Sequence, residues 1–311
     1  MFKKLAGLLA LLVLGVVAAY YICPEQLARL AIYSERSNAG LSRHETDVAG
    51  FHLVYLDGGQ GQPVLLLHGF GADKDNFTRV AKYLTTRFRV IAPDLPGFGE
   101  SGKPADGSYS IAEQVERVHA FAQSLGFKTV HIGGSSMGGE IAALYAAKYP
   151  AETGSVWLLA PAGVATAPPS ELDERIARGG SNPLIASNAD EFAAVFQFVM
   201  SDPPFVPRRI LDVMGRTAIA NHDLNGRIFA QLRSAPGIED QVKGLTVPTR
   251  IVWGDHDRAL NVGGAKILEG LMPKSSALIM PGVGHLPMLE RPREVGEDYL
   301  AFRLALGQQI R

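Results

Sequence analysis

Residues 130–150 read VHIGGSSMGGEIAALYAAKYP: a short apolar run, a cluster of glycine and serine, then an alanine-rich stretch of helical character. This order constrains the chain more than any other feature. A buried strand must turn sharply into a helix within a few residues, and small residues on both sides let the backbone pass closely there. Gly134-Ser135-Ser136-Met137-Gly138 fits G-x-S-x-G with Ser136 at its centre; centring on Ser135 would need glycine where Met137 stands. Ser136 is therefore the candidate nucleophile, its hydroxyl projecting above a sheet. The amides and dipole at the start of the following helix favour a developing oxyanion.

The flanking sequence has the matching rhythm. GFHLVYLDG, PVLLLHG, RVIAPD and KTVHIGG read as strands, and NFTRVAKYLTTRF and SIAEQVERVHAFAQSLG as helices. Short apolar strands separated by helices predict a mostly parallel sheet covered on both faces, with the two earliest strands forming an antiparallel edge. Ligands of such sheets bind at the carboxyl ends of the strands.

Two further features sit at predicted strand ends. In LLLHGFGAD a loop can aim a backbone N–H at the same oxyanion as the amide of Met137, which makes Phe70 the first donor and Met137 the second. Each donor is worth roughly 2.7 to 4 kcal/mol in a transition state. His68, at the strand end, suits a structural histidine holding that loop. Near the C-terminus, TRIVWGDHDRAL offers Asp255 and Asp257, and ALIMPGVGHLPMLERP offers His285, the one histidine of eight that follows both acids. A serine hydroxyl needs a histidine to take its proton, and that histidine needs a carboxylate to fix its tautomer.

Together, HGFGAD, DLPGFGESG, GGSSMGG, WGDHD and PGVGHLPMLERP resemble the α/β-hydrolase superfamily from about residue 50 to 305. The resemblance implies the chain order Ser136, Asp257, His285, because the acid of that superfamily usually follows W-G-x-x directly. It also implies that the segment 164–246, which breaks the strand-helix rhythm with EFAAVFQFVM, PRRILDVMGRTAIA and LNGRIFAQL, is an inserted helical cap. Phe192, Val195, Phe196, Val199 and Met200 fall there at helical spacing, and one or two of them are expected to line an acyl pocket.

The N-terminus stands apart from this domain. Residues 5–23 carry no charge. As a helix at roughly 1.5 Å per residue they extend about 28 Å, close to the roughly 30 Å hydrocarbon core of a bilayer. A cleaved signal peptide ending near Val17-Ala18-Ala19 is the rival. The run exceeds the usual h-region, however, and Tyr20 and Tyr21 lie where an interfacial aromatic belt would. Lys3 and Lys4 place the N-terminus in the cytoplasm by the positive-inside rule. Residues 24–36 continue as a helix with Leu27, Leu30 and Ala31 on one face; it either lies along the membrane or packs on its own domain.

The expected organisation is an anchor over 1–23, a juxtamembrane helix and linker over 24–49, a hydrolase core over 50–163 and 247–311, and the cap between. An anchored domain of this kind is similar to membrane-anchored bacterial lipases and phospholipases A of the PlaF type and to membrane-bound monoacylglycerol lipases. That similarity implies a serine ester hydrolase acting on membrane lipid. It would be single-pass in a bacterial inner membrane, with the catalytic domain in the periplasm, and the homodimer is the self-association to expect. A C–C bond hydrolase of aromatic catabolism and a short-chain carboxylesterase share the motifs. Epoxide hydrolases and haloalkane dehalogenases are similar but place aspartate at the Ser136 position. A binding protein on the same scaffold would not need Ser, Asp and His together. No metal or organic cofactor is implied. With 30 Lys and Arg against 31 Asp and Glu, no basic surface for nucleic acid is expected, and the single Cys23 excludes an internal disulfide.

Overall fold

The computed structural model describes residues 20–307 together with Leu5, Gly15 and Ala18. The expected anchor over 1–23 thus lies largely outside the described residues; among those described, no helix is long and apolar enough to cross a membrane.

Among the described residues, eight strands form one sheet: β1 (Leu41–Val48), β2 (Phe51–Gly58), β3 (Pro63–Leu67), β4 (Arg89–Pro93), β5 (Val130–Ser135), β6 (Thr153–Leu159), β7 (Thr249–Gly254) and β8 (Ser275–Met280). Their order across the sheet is β1-β2-β4-β3-β5-β6-β7-β8. β2 runs antiparallel to both β1 and β4, and every other pairing is parallel. Helices α1 (Pro24–Asn38), α2 (Thr78–Leu84), α3 (Ile111–Ser124) and α4 (Met137–Lys148) precede β6. Between β6 and β7 come α5 (Glu171–Ala177), α6 (Ala189–Val199), α7 (Arg208–Ala220), α8 (His222–Arg233) and α9 (Glu239–Val242), and α10 (Gly263–Leu271), α11 (Pro287–Glu290) and α12 (Pro292–Ala305) follow.

The expected mostly parallel sheet with helices on both faces is what forms. β3, five consecutive apolar or proline residues, lies at its centre, where both faces must be apolar. Val64 and Leu66 join the cluster made with α2 and α12, while Leu65 and Leu67 join the cluster made with α3, α4 and α10. That is the two-residue period of a strand.

Three expectations change. The early strands do not form the edge together: β2 is antiparallel, but β3 is interior and parallel. The supposed linker before residue 50 contains β1, whose LSRHETDV is mostly exposed and carries charges suited to an edge strand. Its hairpin to β2 turns through Ala49 and Gly50, at φ 52° and 79°, the positive values a two-residue hairpin requires.

The third change concerns α1, which packs on its own domain with Ala28 buried and Leu30 and Tyr33 exposed, so the inward stripe is Ala28, Ile32 and Arg36 rather than Leu27, Leu30 and Ala31. Arg36 sets that rotation by a bidentate pair with Asp75 at 2.6 and 2.5 Å. At the other end of α1, Glu25 pairs with Arg216 of α7.

In the segment 164–246, α5 to α9 replace the strand-helix alternation. Ile228, Ile238 and Val242 are buried in the same cluster as β3 and β5, so α8 and α9 seat on the core, while Leu172, Phe198, Val199 and Met200 form a separate cluster above it.

Candidate active site

Ser136 occupies the turn between β5 and α4 with φ 54° and ψ −121°. A side chain in this region costs on the order of 1–3 kcal/mol of strain and persists only when its surroundings impose it. Here they do. The Ser136 carbonyl oxygen accepts from Gly139, Glu140 and Ala162 at 2.9 to 3.0 Å, and the Ser136 amide donates to Leu159 at 3.0 Å. The flanking glycines are demanded by contact: a methyl group on Gly134 would come within 2.1 Å of the Gly138 carbonyl oxygen, and one on Gly138 within 2.0 Å of that of Leu67. The Ser136 hydroxyl makes no helix-capping bond. Ser135, its rival in sequence, is fully buried.

The HGFG loop after β3 runs directly against this turn. A methyl group on Gly69 would lie 3.1 Å from Ser136 Cβ and 3.8 Å from its Oγ. Phe70 is fixed beside it by edge-on contacts with Phe98 and Phe229, at centroid distances of 5.8 and 5.3 Å. Met137 is the first residue of α4, where helix amides point outward from the N-terminus. His68 is fully buried, with Nδ1 donating to the Gly69 carbonyl at 2.8 Å and Nε2 accepting from the Leu95 amide at 2.9 Å. Burial pushes its pKa below the usual histidine value, so it holds the loop as a neutral ring. The loop is braced behind by buried Lys74, which pairs with Asp94 at 2.9 Å and Glu100 at 2.7 Å.

Asp257 and His285 come from the loops after β7 and β8. His285 Nδ1 lies 2.7 Å from Asp257 Oδ2, and both side chains are almost wholly buried. Asp257 also accepts from Trp253 Nε1 at 2.9 Å and from the Ala259 and Leu260 amides at 2.8 and 2.9 Å. A carboxylate facing four donors is fixed in direction. Since Oδ2 can only accept, the histidine proton sits on Nδ1 and Nε2 is left as the basic nitrogen. Asp255 is 40% exposed and accepts from the Gly282 amide at 2.7 Å.

Some supporting residues escaped the sequence reading. Trp253 lies in the quoted WGDHD, yet nothing there signals that its N–H reaches Asp257. Glu290, in MLERP, accepts from the Gly284 amide at 2.9 Å and from the Ser201 and Asp202 amides at 2.9 and 2.8 Å. It thereby ties the His285 loop to the end of α6. The His285 amide donates to the Val199 carbonyl at 2.8 Å in the same direction. Of the five cap residues among which one or two were expected to line an acyl pocket, Val199 and Met200 are buried, Val195 and Phe196 pack against their cluster, and Phe192 lies against Gly215 of α7. Among the described residues, no group of histidine, cysteine, aspartate and glutamate side chains is arranged to hold a metal ion.

The family described as alpha/beta hydrolase fold matches residues 62–201, and Lipase 1 of Psychrobacter immobilis is 35% identical over 98% of this chain and 97% of its own length. The chain belongs to the α/β-hydrolase family. This α/β-hydrolase is also 30% identical to monoacylglycerol lipase ABHD6 of Rattus norvegicus, over 97% of this chain and 94% of that one. Among solved structures, a membrane phospholipase A described as a bacterial virulence factor superposes with a TM-score of 0.90 at 40% identity, covering 99% of this chain and 100% of the other.

Proposed function

We propose that this chain is a membrane-associated serine hydrolase that releases fatty acids from membrane lipid esters. It is a carboxylic ester hydrolase; the catalytic roles and the bilayer substrate are our reading. Asp257 fixes His285 with its proton on Nδ1. His285 Nε2 then removes the proton of Ser136 as Oγ attacks the ester carbonyl. The amides of Phe70 and Met137 hold the oxyanion. His285 returns the proton to the departing alcohol or lysolipid, and water, deprotonated by the same nitrogen, releases the fatty acid from Ser136.

The observation that carries this reading is the 2.7 Å contact between His285 and an Asp257 already held by three further donors. Such a pair is arranged to run proton transfer at a neighbouring hydroxyl. Residues 5–23 would span the bilayer, with Tyr20 and Tyr21 at its surface and the catalytic domain in the periplasm. The named relatives support lipid as the substrate class. Fatty-acid release from phospholipids, monoacylglycerols and short-chain esters by wild type and Ser136→Ala tests the reading. Wild-type activity confined to short soluble esters would remove membrane lipid from it, and full activity in Ser136→Ala would remove the mechanism.

A further inference from the structure

Arg36, near the end of α1, reaches the region behind the HGFG loop. Its guanidinium holds Asp75 by two bonds at 2.6 and 2.5 Å, and Asp75 stands in the short 3₁₀ turn Lys74–Phe77 that follows that loop. The Asp75 carboxylate is also 3.8 Å from Lys74 Nζ. Lys74, almost wholly buried, is the ammonium that pairs with Asp94 and Glu100.

From Asp94 the contacts lead to the oxyanion loop. The Asp94 carboxylate accepts from the amides of Lys74 and Glu100, both at 2.7 Å, and its carbonyl oxygen accepts from Ser101 Oγ at 2.7 Å. The next amide, that of Leu95, donates to His68 Nε2 at 2.9 Å, and His68 Nδ1 donates to the Gly69 carbonyl at 2.8 Å. That carbonyl and the Phe70 amide belong to one planar trans peptide, in which C=O and N–H point opposite ways. The bond from His68 therefore aims the Phe70 N–H away from the histidine ring. The same stretch of loop lies against Ser136, since a methyl group on Gly69 would come within 3.1 Å of its Cβ.

We infer that Arg36 is a positioning residue for the Phe70 amide, acting through Asp75, Lys74, Asp94 and His68. The inference rests on the reading of Phe70 and Met137 as oxyanion donors. Its physical basis is charge balance: Arg36 and Lys74 stand among Asp75, Asp94 and Glu100, and Arg43 reaches Glu100 at 2.9 Å. Without Arg36, the cation left beside Asp75 is Lys74, whose N–H groups already serve Asp94 and Glu100. An uncompensated carboxylate so close to a buried ammonium draws it from Asp94. A shift in Asp94 then passes through Leu95 and His68 to the Gly69–Phe70 peptide. Helix α1 follows the apolar segment 5–23 directly in sequence, so this contact ties the helix next to that segment to the oxyanion loop.

The test measures p-nitrophenyl butyrate hydrolysis by the full chain, with kcat expressed per serine titrated to completion by a fluorophosphonate. Arg36→Ala should lower kcat about tenfold with KM within about twofold of wild type, less than the roughly 10²–10³ of deleting an oxyanion donor. Adding Asp75→Asn to Arg36→Ala should raise kcat again by about fivefold, because the carboxylate that competes for Lys74 is gone. A simple loss of α1 docking would not be repaired by that second change. Glu25→Ala, which removes the pair between the other end of α1 and Arg216, should leave kcat unchanged.

Arg36→Ala with wild-type kcat per titrated serine overturns the inference. So does a double variant no faster than Arg36→Ala, or an equal loss in Glu25→Ala. If Arg36→Ala fails to fold, Arg36→Lys takes its place: it keeps the charge but not the two-pronged contact, and is judged by the same loss of kcat and the same repair by Asp75→Asn. Wild type in which the fluorophosphonate titrates no serine defeats the hydrolase reading and the inference with it, whereas a titratable wild type indifferent to Arg36 defeats the inference alone.

Discussion

Asp257→Asn replaces one carboxylate oxygen by an NH₂ donor at a site where every neighbour is itself a donor. If the amide nitrogen takes the Oδ2 position, it faces Trp253 Nε1 and His285 Nδ1, at 2.9 and 2.7 Å in the native protein. The histidine then accepts only by moving its proton to Nε2, the nitrogen that must receive the Ser136 proton. If the amide is turned over, it faces the Ala259 and Leu260 amides at 2.8 and 2.9 Å instead, and at least one buried donor in either orientation loses its acceptor. The first arrangement costs about 10⁴ in kcat, or roughly 5 kcal/mol of transition-state stabilisation. Either arrangement costs about 1–3 kcal/mol of folding stability. Steady-state hydrolysis of p-nitrophenyl butyrate and thermal unfolding measure the two losses separately. Asp255→Asn, which affects one exposed contact with the Gly282 amide, should stay near wild type in both. If Asp257→Asn keeps more than about a tenth of wild-type kcat, or if Asp255→Asn is equally inactive, the assignment of the acid is wrong.

Three further outcomes are expected. Ser136→Ala should lower kcat by about 10⁶ while Ser135→Ala loses far less; equal losses in the same ester assay would move the nucleophile. Gly138→Ala should be unfolded or inactive, because its methyl group would come within 2.0 Å of the Leu67 carbonyl oxygen, and a circular dichroism melt like that of wild type would count against the close approach. Glu140, buried beneath Gly163 and Ile238, has its carboxyl pushed up by burial from 4.5 to about 7: the stability this contributes is full below the unfolded value and is lost as pH rises towards the folded one. Wild type should therefore lose about 3 kcal/mol more than Glu140→Gln between about pH 4 and pH 8 in urea titrations, and parallel curves would refute it.

What could be read from sequence depended on whether a feature is local. The apolar run of β3, the strand–turn–helix around Ser136 and the amphipathic α7 carry their own periodicity and were legible, as were the loops that hold Asp257 and His285. β1 was not, because an edge strand with Arg43, His44, Glu45 and Asp47 along it shows no apolar alternation. The rotation of α1 was also hidden: it is set by Arg36 meeting Asp75, 39 residues away. The braces on the site, Trp253 to Asp257 and Glu290 to the amides of Gly284, Ser201 and Asp202, mostly join separate loops. Pattern in one strand or helix says nothing about such partners. Choosing between Asp255 and Asp257 needed family resemblance for the same reason, since both stand in one short loop and only its folded path brings one of them to His285.

Covalent capture reads out whether Ser136 is an activated nucleophile. A fluorophosphonate reacts with a serine only when a base removes its proton and donors stabilise the phosphoryl oxygen, so it requires the machinery assigned here to His285, Phe70 and Met137. Intact mass and peptide mapping of the full chain after treatment should find a single adduct on Ser136, absent in Ser136→Ala and strongly slowed in Asp257→Asn. An adduct on Ser135, or no adduct on a folded protein, would contradict the account.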